Sequence, residues 1–144
     1  TNYLASINLL TLGEALMVCK KYGLDLTTAY HGIRISSGNS FVHETESKVI
    51  LNGSYDVGFT MDLVCKDLGL FDKLIEKYNI PANISKLINK IFTEGRMQYG
   101  NRSLSTSIVK KLEELCNENL RAPGFPSELI DEEPKKKGIE INSD

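Results

Sequence analysis

The stretch FTMDLVCKDLGLFDKLIEKYN, residues 59–79, repeats its apolar side chains at the period of an α-helix. The apolar stripe that this period produces consists of Leu63, Val64, Leu68, Phe71, Leu74, Ile75 and Tyr78. Pro81 follows, and because a helix rarely continues up to a proline, the helix is predicted to end before it. A stripe this broad has to be covered by other elements, so the segment predicts one helix of a packed helical domain.

Helical patterns also account for most of the remaining chain, and residues that start or end helices separate them. Gly23 can end the first helix, Asp25 or Thr27 can cap the second, and Ser40 can cap the third. These further helices are predicted over residues 2–22, 26–35, 41–51, 82–100 and 105–119. No convincing strand pattern is present in the sequence, so the predicted fold class is all-α, with about six helices.

The composition changes after residue 119. Residues 120–144 contain three of the four prolines and have no helical period. We expect an extended, proline-rich and charged tail that packs at Leu120, Phe125 and Ile130 and is frayed at its end. The predicted domain organisation is therefore a helical domain over residues 1–119 and a tail over residues 120–144.

Length, charge and cysteine content narrow the class of protein. A chain of 144 residues is the length of one domain, and its net charge of −2 gives no general attraction to nucleic acid or anionic lipid. Cys19, Cys65 and Cys116 are odd in number and far apart, so they are predicted to be free thiols of a reducing, cytoplasmic environment. The apolar stretches are too short for a membrane span, so we expect neither a membrane nor nucleic acid as a partner.

Two polar residues lie on helix faces that are otherwise apolar. Asp67 lies within the apolar stripe of residues 59–79. A carboxylate without a charged or hydrogen-bonding partner costs several kcal/mol to desolvate at such a position. Asp67 has either a structural role, in which it caps a helix or pairs with a buried cation, or a functional role, in which it faces a cleft. The sequence pattern does not decide between these two alternatives. Asn2 could bind a ligand through its amide, although its spacing favours an exposed residue at the chain terminus. Lys66 points away from the stripe and is positioned to pair with Asp62 one turn earlier.

Other groups with chemical potential have simpler interpretations. His31 and His43 lack a third ligand at a metal-binding spacing, so no metal site is predicted. Cys65 is next to Lys66, but no histidine is nearby in sequence to activate a thiol nucleophile. The residues by themselves therefore indicate no independent active site.

Four segments together resemble a known family: NYLASINLLTLGEAL, SSGNSF, DVGFTMDLVCKDLGL and YNIPANISKLINKIF. They are similar to the C-terminal helical domain of β-hydroxyacid dehydrogenases, the 3-hydroxyisobutyrate dehydrogenase-like family of the 6-phosphogluconate dehydrogenase superfamily. The resemblance covers about residues 1–105 and is most specific at KDLGL and at Glu14-Ala15-Leu16. It implies a multi-helical domain of the 6-phosphogluconate dehydrogenase C-terminal type, cut from a longer chain whose Rossmann domain is absent here.

The resemblance also implies a set of site residues. Asn2 takes the place of an asparagine that holds the substrate, and Phe59 that of a phenylalanine that lines the substrate pocket. Lys66 matches a lysine that approaches the cofactor near the nicotinamide, and Asp67 matches an aspartate that helps order the site. The general acid/base lysine of the family would lie about three residues before Thr1, outside the chain.

The reaction implied is hydride transfer between NAD or NADP and a small 3-hydroxy acid or its semialdehyde. The missing domain would bind most of the cofactor, so the chain alone is expected to be inactive. The resemblance further implies a homo-oligomer, at least a dimer, formed through the helical domain. The alternative is a non-catalytic helical interaction or oligomerisation module, in which Lys66 and Asp67 are structural.

Overall fold

The structure, a computed structural model, describes residues 1–129, and its helices confirm the predicted all-α class. In this part of the chain the helices are α1 (Asn2–Lys21), α2 (Leu26–Arg34), α3 (Phe41–Asn52), α4 (Met61–Lys77), α5 (Asn83–Tyr99) and α6 (Ile108–Cys116). The predicted packing of Ile130 and the end of the predicted tail lie outside the described residues.

The predicted helix boundaries are confirmed where a local cap sets them. The Asp25 carboxylate accepts a hydrogen bond of 2.7 Å from the Thr28 backbone N–H at the start of α2. The Ser40 hydroxyl accepts one of 3.0 Å from the His43 backbone N–H at the start of α3. Gly23 follows the end of α1 with a φ of +86°, a left-handed conformation that glycine adopts without strain.

Helix α1 is central, because it packs against α2, α3, α4, α5 and α6. Its twenty residues make it long and apolar enough to cross a membrane by length and composition, so the expectation that every apolar stretch is too short was wrong. The central helix of a globular domain passes the same test, and α1 contributes Leu9, Leu12 and Leu16 to the core. Length and composition alone therefore do not distinguish a membrane span from a core helix here.

Helix α6 is shorter than predicted. Residues Ser105–Ser107 form a 3₁₀ turn ahead of it, and the helix ends at Cys116 because Asn117 adopts a left-handed conformation. The Thr106 hydroxyl donates a hydrogen bond of 2.5 Å to the backbone carbonyl of Tyr55. This contact with a distant loop fixes the turn, so the helical period of the sequence could not reveal it.

The buried face of α4 is narrower than its sequence pattern suggests. Val64, Leu68 and Ile75 are buried, whereas the predicted stripe residues Leu63, Leu74 and Tyr78 are exposed. The helix packs mainly against α5 and secondarily against α1. The two neighbours cover only the middle of the stripe, and its margins remain at the surface.

The chain after α6 folds back on the helices as far as the structure describes it. Leu120 is fully buried, and Phe125 is half-buried with its ring 5.0 Å from the ring of Tyr30. The predicted packing of both residues is confirmed. Glu113 anchors the segment, since its carboxylate accepts hydrogen bonds from the Leu120 backbone N–H at 2.7 Å and from Arg121 at 2.9 Å.

The loop before α4 is tied to the connection between α5 and α6. The backbone N–H groups of Met61 and Asp62 donate to the carbonyls of Ser103 and Asn101, at 2.8 and 3.0 Å. In return, the N–H of Ser105 donates to the carbonyl of Phe59 at 2.8 Å. The position of Phe59 in the loop before α4 therefore depends on this distant connection.

Candidate functional site

A cavity of about 180 Å³ opens between α1, α3, α4 and α5. It is roughly ten times the space that one buried water needs, which is room for a small organic acid. The described residues that line it are Asn2, Ala5, Ser6, Leu9, Glu46, Val57, Phe59, Val64, Phe92, Ser105 and Leu129. Two of the predicted substrate-binding residues, Asn2 and Phe59, are thus brought to one cavity from distant parts of the chain.

Asn2 is joined to Asp67 at the edge of this cavity. The Asn2 amide Nδ2 donates a hydrogen bond of 2.5 Å to Asp67 Oδ2, and Lys66 Nζ lies 2.8 Å from Asp67 Oδ1. The hydrogen bond from Lys66, followed by that from Asn2, holds the pKa of the Asp67 carboxyl below its ordinary value. Asp67 is therefore an anion that connects the start of α1 to the middle of α4.

The surroundings of Asp67 explain how a carboxylate is tolerated beside an apolar stripe. Its side chain is 20% exposed and lies at the margin of the buried face. The carboxylate is paired with the Lys66 ammonium group and accepts a hydrogen bond from the Asn2 amide. One turn further along, the rings of Tyr3 and Phe71 stack with centroids 4.1 Å apart and strengthen the same contact between α1 and α4. Asp67 and Lys66 are not among the residues that line the cavity, but Asp67 accepts a hydrogen bond from Asn2, which does line it.

One pairing expected from the sequence was wrong. Lys66 does not pair with Asp62, because its ammonium group is directed to Asp67. Asp62 instead accepts a hydrogen bond of 2.5 Å from the Thr60 hydroxyl and lies 3.5 Å from Arg102. The side chain of Lys66 is 59% exposed, so it is accessible to a molecule that approaches this side of α4.

Glu46, on α3, is not among the residues that the sequence predicts for a site, yet it lines the cavity. Its Oε2 atom is buried and has no hydrogen-bond partner among residues 1–129. Burial raises the pKa of its carboxyl to about 7. Glu46 lies four residues after Val42 and three before Val49, which are both buried. Helical periodicity therefore places Glu46 on the same face as these residues, as it places Asp67 beside the apolar residues of α4.

The other candidate groups fit structural roles. Burial raises the pKa of the Cys65 thiol, which is the opposite of what a nucleophile requires. The ring of His43 is buried, with Nε2 2.9 Å from the backbone carbonyl of Tyr30. Within residues 1–129, no three histidine, cysteine or acidic side chains are grouped so that they could hold a metal ion.

Comparison with known proteins identifies the family of this chain. The family model with the description "NAD-binding of NADP-dependent 3-hydroxyisobutyrate dehydrogenase" matches residues 1–112. A 2-(hydroxymethyl)glutarate dehydrogenase from Eubacterium barkeri is 34% identical over 115 residues, which are 79% of this chain and 38% of that protein. An L-threonate dehydrogenase from Haemophilus influenzae is 24% identical over 107 residues, 74% of this chain and 36% of that protein. The chain thus spans less than two fifths of the length of these relatives.

Solved structures share the fold. A 3-hydroxyisobutyrate dehydrogenase from Mycobacterium tuberculosis, solved with L-serine, aligns with a TM-score of 0.70 at 19% identity, over 77% of this chain and 40% of that one. A 3-hydroxyisobutyrate dehydrogenase from Salmonella typhimurium aligns with a TM-score of 0.70 at 21% identity, over 76% and 39%. Since the family model matches more than half of the chain and the helical fold agrees, the chain belongs to the 3-hydroxyisobutyrate dehydrogenase-like family.

Proposed function

We propose that this chain is the substrate-binding and dimerisation domain of an NAD- or NADP-dependent oxidoreductase that acts on a small 3-hydroxy acid or its semialdehyde. The observation that carries the proposal is the cluster of Asn2, Lys66 and Asp67 at the edge of a cavity that Asn2 and Phe59 line. Family membership supports the class of reaction. The size of the cavity supports a small acid as the substrate.

Each residue of the cluster has a role in this proposal. Asn2 orients the substrate through its amide, and Asp67 fixes the orientation of that amide by accepting its N–H. Phe59 is an apolar wall that excludes water from the reacting carbon. A general acid/base lysine is expected upstream of Thr1, one helical turn before Asn2, where it would move the proton of the substrate hydroxyl.

The residues present fit a nicotinamide cofactor at the Lys66 side of the cluster. The Lys66 ammonium is largely exposed, and the salt bridge to Asp67 leaves it further donors to share. A bound nicotinamide would accept or supply the hydride. The family model is itself described as NAD-binding. We propose that Lys66 contacts the cofactor, and that most of the cofactor is bound by a Rossmann domain upstream.

Two further parts of the proposal concern the assembly. The chain covers 38% and 36% of two dehydrogenase relatives, so we propose that it is inactive without the upstream part. Large apolar side chains remain exposed on several helices, including Leu4, Val18, Met97 and Leu115. Burial of such side chains between copies would support a homo-oligomer.

The test uses the chain extended upstream to its natural start. Oxidation would be followed by NADH or NADPH absorbance with 3-hydroxyisobutyrate, 2-(hydroxymethyl)glutarate and L-threonate, the acids named for relatives. We expect turnover with at least one acid, lost in Lys66→Ala and kept in Lys73→Ala, which removes an exposed lysine from the same helix. Equal turnover in both variants would contradict the role of Lys66.

The alternative function is the non-catalytic helical interaction module. The exposed apolar side chains are the observation that favours it. It predicts no turnover of any acid by the extended protein, and full oligomerisation in Lys66→Ala. Size-exclusion chromatography with light scattering, run beside the absorbance assay, separates the two functions.

A further inference from the structure

The carboxyl group of Glu46 has no role in the reaction proposed above, although it lies in the cavity. Among the described residues that line the cavity, Glu46 alone is ionisable. Its Oε2 is buried and unpartnered among residues 1–129. Because an unpaired buried polar atom lowers stability, its position in a cavity points to a partner outside residues 1–129.

The described surroundings do not neutralise Glu46. Asn2, Ser6 and Ser105 are the polar residues of the cavity wall besides Glu46, and none of them is charged. On its own helix, Glu44 already binds Asn39 at 2.6 Å and Arg34 at 3.2 Å. The raised pKa of Glu46 has burial as its cause, in agreement with a site that contains no compensating charge.

The chemistry of a carboxyl group limits which ligand groups can bind next to Glu46 in the cavity. In either protonation state it can accept a hydrogen bond from a hydroxyl group. When it is ionised, it repels a carboxylate at short range. An alkyl group would leave Oε2 as unpaired as it is now. A hydroxyl is therefore the group on a small acid that fits this position.

We propose that Glu46 determines the specificity of the cavity, selecting hydroxy acids that carry a further hydroxyl over those that carry a second carboxylate. This inference rests on the proposed function, because it assigns the cavity to a small hydroxy acid. It gives a definite order for the acids named for two relatives: L-threonate, with hydroxyls beside its single carboxylate, ahead of the dicarboxylate 2-(hydroxymethyl)glutarate.

The test measures the dissociation constants of both acids by calorimetry, at pH 6 and pH 8, on the chain extended upstream to its natural start. The proteins are the wild type, Glu46→Gln and the control Glu76→Gln. The glutamine at position 46 keeps the shape of the side chain and removes its charge. Glu76 is an exposed residue of α4 outside the cavity lining, so its substitution makes the same change of charge elsewhere.

At pH 8 we expect the wild-type protein to bind L-threonate about tenfold more tightly than 2-(hydroxymethyl)glutarate. The preference should shrink at pH 6, where more of Glu46 is protonated. We expect Glu46→Gln to remove both the preference and its pH dependence, and Glu76→Gln to keep both. A preference that Glu46→Gln leaves unchanged, or binding of neither acid, would overturn the inference.

Turnover of the same proteins separates this inference from the proposed function. If Glu46 sets the binding preference but neither acid is oxidised, the inference stands and the proposed function fails. If the acids are oxidised with a ratio of kcat/KM that is the same in the wild type and Glu46→Gln, the proposed function stands and the inference fails.

Discussion

Glu113 is a buried glutamate on α6 and Glu46 is a half-buried glutamate on α3 with a buried Oε2 atom, but only Glu113 is surrounded by hydrogen-bond donors. Its carboxylate accepts from the Tyr55 hydroxyl, the Arg121 guanidinium and the Leu120 backbone N–H, and its side chain is 5% exposed. Glu46 has an Oε2 without a partner among residues 1–129 and lies in a cavity. The same chemical group thus stabilises the fold at one position and destabilises it at the other.

This difference distinguishes residues that serve the fold from residues available to a ligand. The Glu113 cluster connects α6, the Tyr55 loop and the segment after α6, so its hydrogen bonds are used within the chain. The Oε2 atom of Glu46 has no such partner among residues 1–129. Substitutions at the two positions should therefore change stability in opposite directions.

The largest expected effect is that of Glu113→Leu. The substitution leaves the Arg121 charge, the Tyr55 hydroxyl and the Leu120 N–H without their shared acceptor, so we expect the free energy of unfolding to fall by about 3 kcal/mol. This value is at the low end of the stability losses seen when a buried ion pair is broken, because Arg121 is partly exposed. Urea unfolding measures it, with Glu114→Leu as the control on the exposed neighbouring residue. Equal losses in the two variants would show that the Glu113 cluster has no special role.

The next effect has the opposite sign. In the folded chain, burial raises the pKa of Glu46 from its ordinary value of 4.5 to about 7, so ionisation at higher pH opposes folding. The stability associated with its proton is complete below pH 4.5 and is lost as the pH rises through about 7. We therefore expect Glu46→Gln to be more stable than the wild type at pH 8, by up to about 3 kcal/mol, and to match it near pH 4.5.

Urea unfolding of both proteins across this pH range measures the difference. Glu76→Gln is again the control for the change of charge, since Glu76 is exposed. A wild-type protein as stable as Glu46→Gln at pH 8 would mean that Glu46 has a partner after all, and the comparison with Glu113 would no longer hold.

The smallest effect tests one bond of the Glu113 cluster. Burial, followed by the hydrogen bond to Glu113, raises the pKa of the Tyr55 hydroxyl far above its ordinary range, so it remains a donor at any pH used for these measurements. Tyr55→Phe removes that donor and keeps the ring, and we expect a loss of about 1–2 kcal/mol. Tyr22→Phe, on a residue that is 88% exposed, should change nothing measurable by urea unfolding.

The parts of the fold that the sequence predicts correctly are those with local causes. Asp25, Ser40 and Gly23 set helix ends through contacts within a few residues, so their positions can be inferred from the sequence alone. The start of α6 depends instead on the bond between Thr106 and Tyr55, which are far apart in the sequence. No local pattern contains such a contact.

The candidate site divides in the same way. The hydrogen bond between Asn2 and Asp67 joins residues from two helices that are distant in the sequence. Asn2 is exposed, as its spacing predicted, but periodicity could not show that its amide binds Asp67. The family resemblance was what predicted that Asn2 and Asp67 belong to the same site. Glu46, by contrast, could have been predicted from helical periodicity, since it lies on the helix face of the buried residues Val42 and Val49.

The hydrogen bonds between the loop before α4 and the α5–α6 connection have a consequence for exchange with solvent. The first amides of a helix normally exchange quickly, because they have no partner within the helix. Those of Met61 and Asp62 donate to Ser103 and Asn101, so we expect hydrogen–deuterium exchange to find them protected, and to find Ser105 exchanging at a similar rate. The cavity wall that carries Phe59 then opens only when the α5–α6 connection opens with it, and the two segments form one cooperative unit.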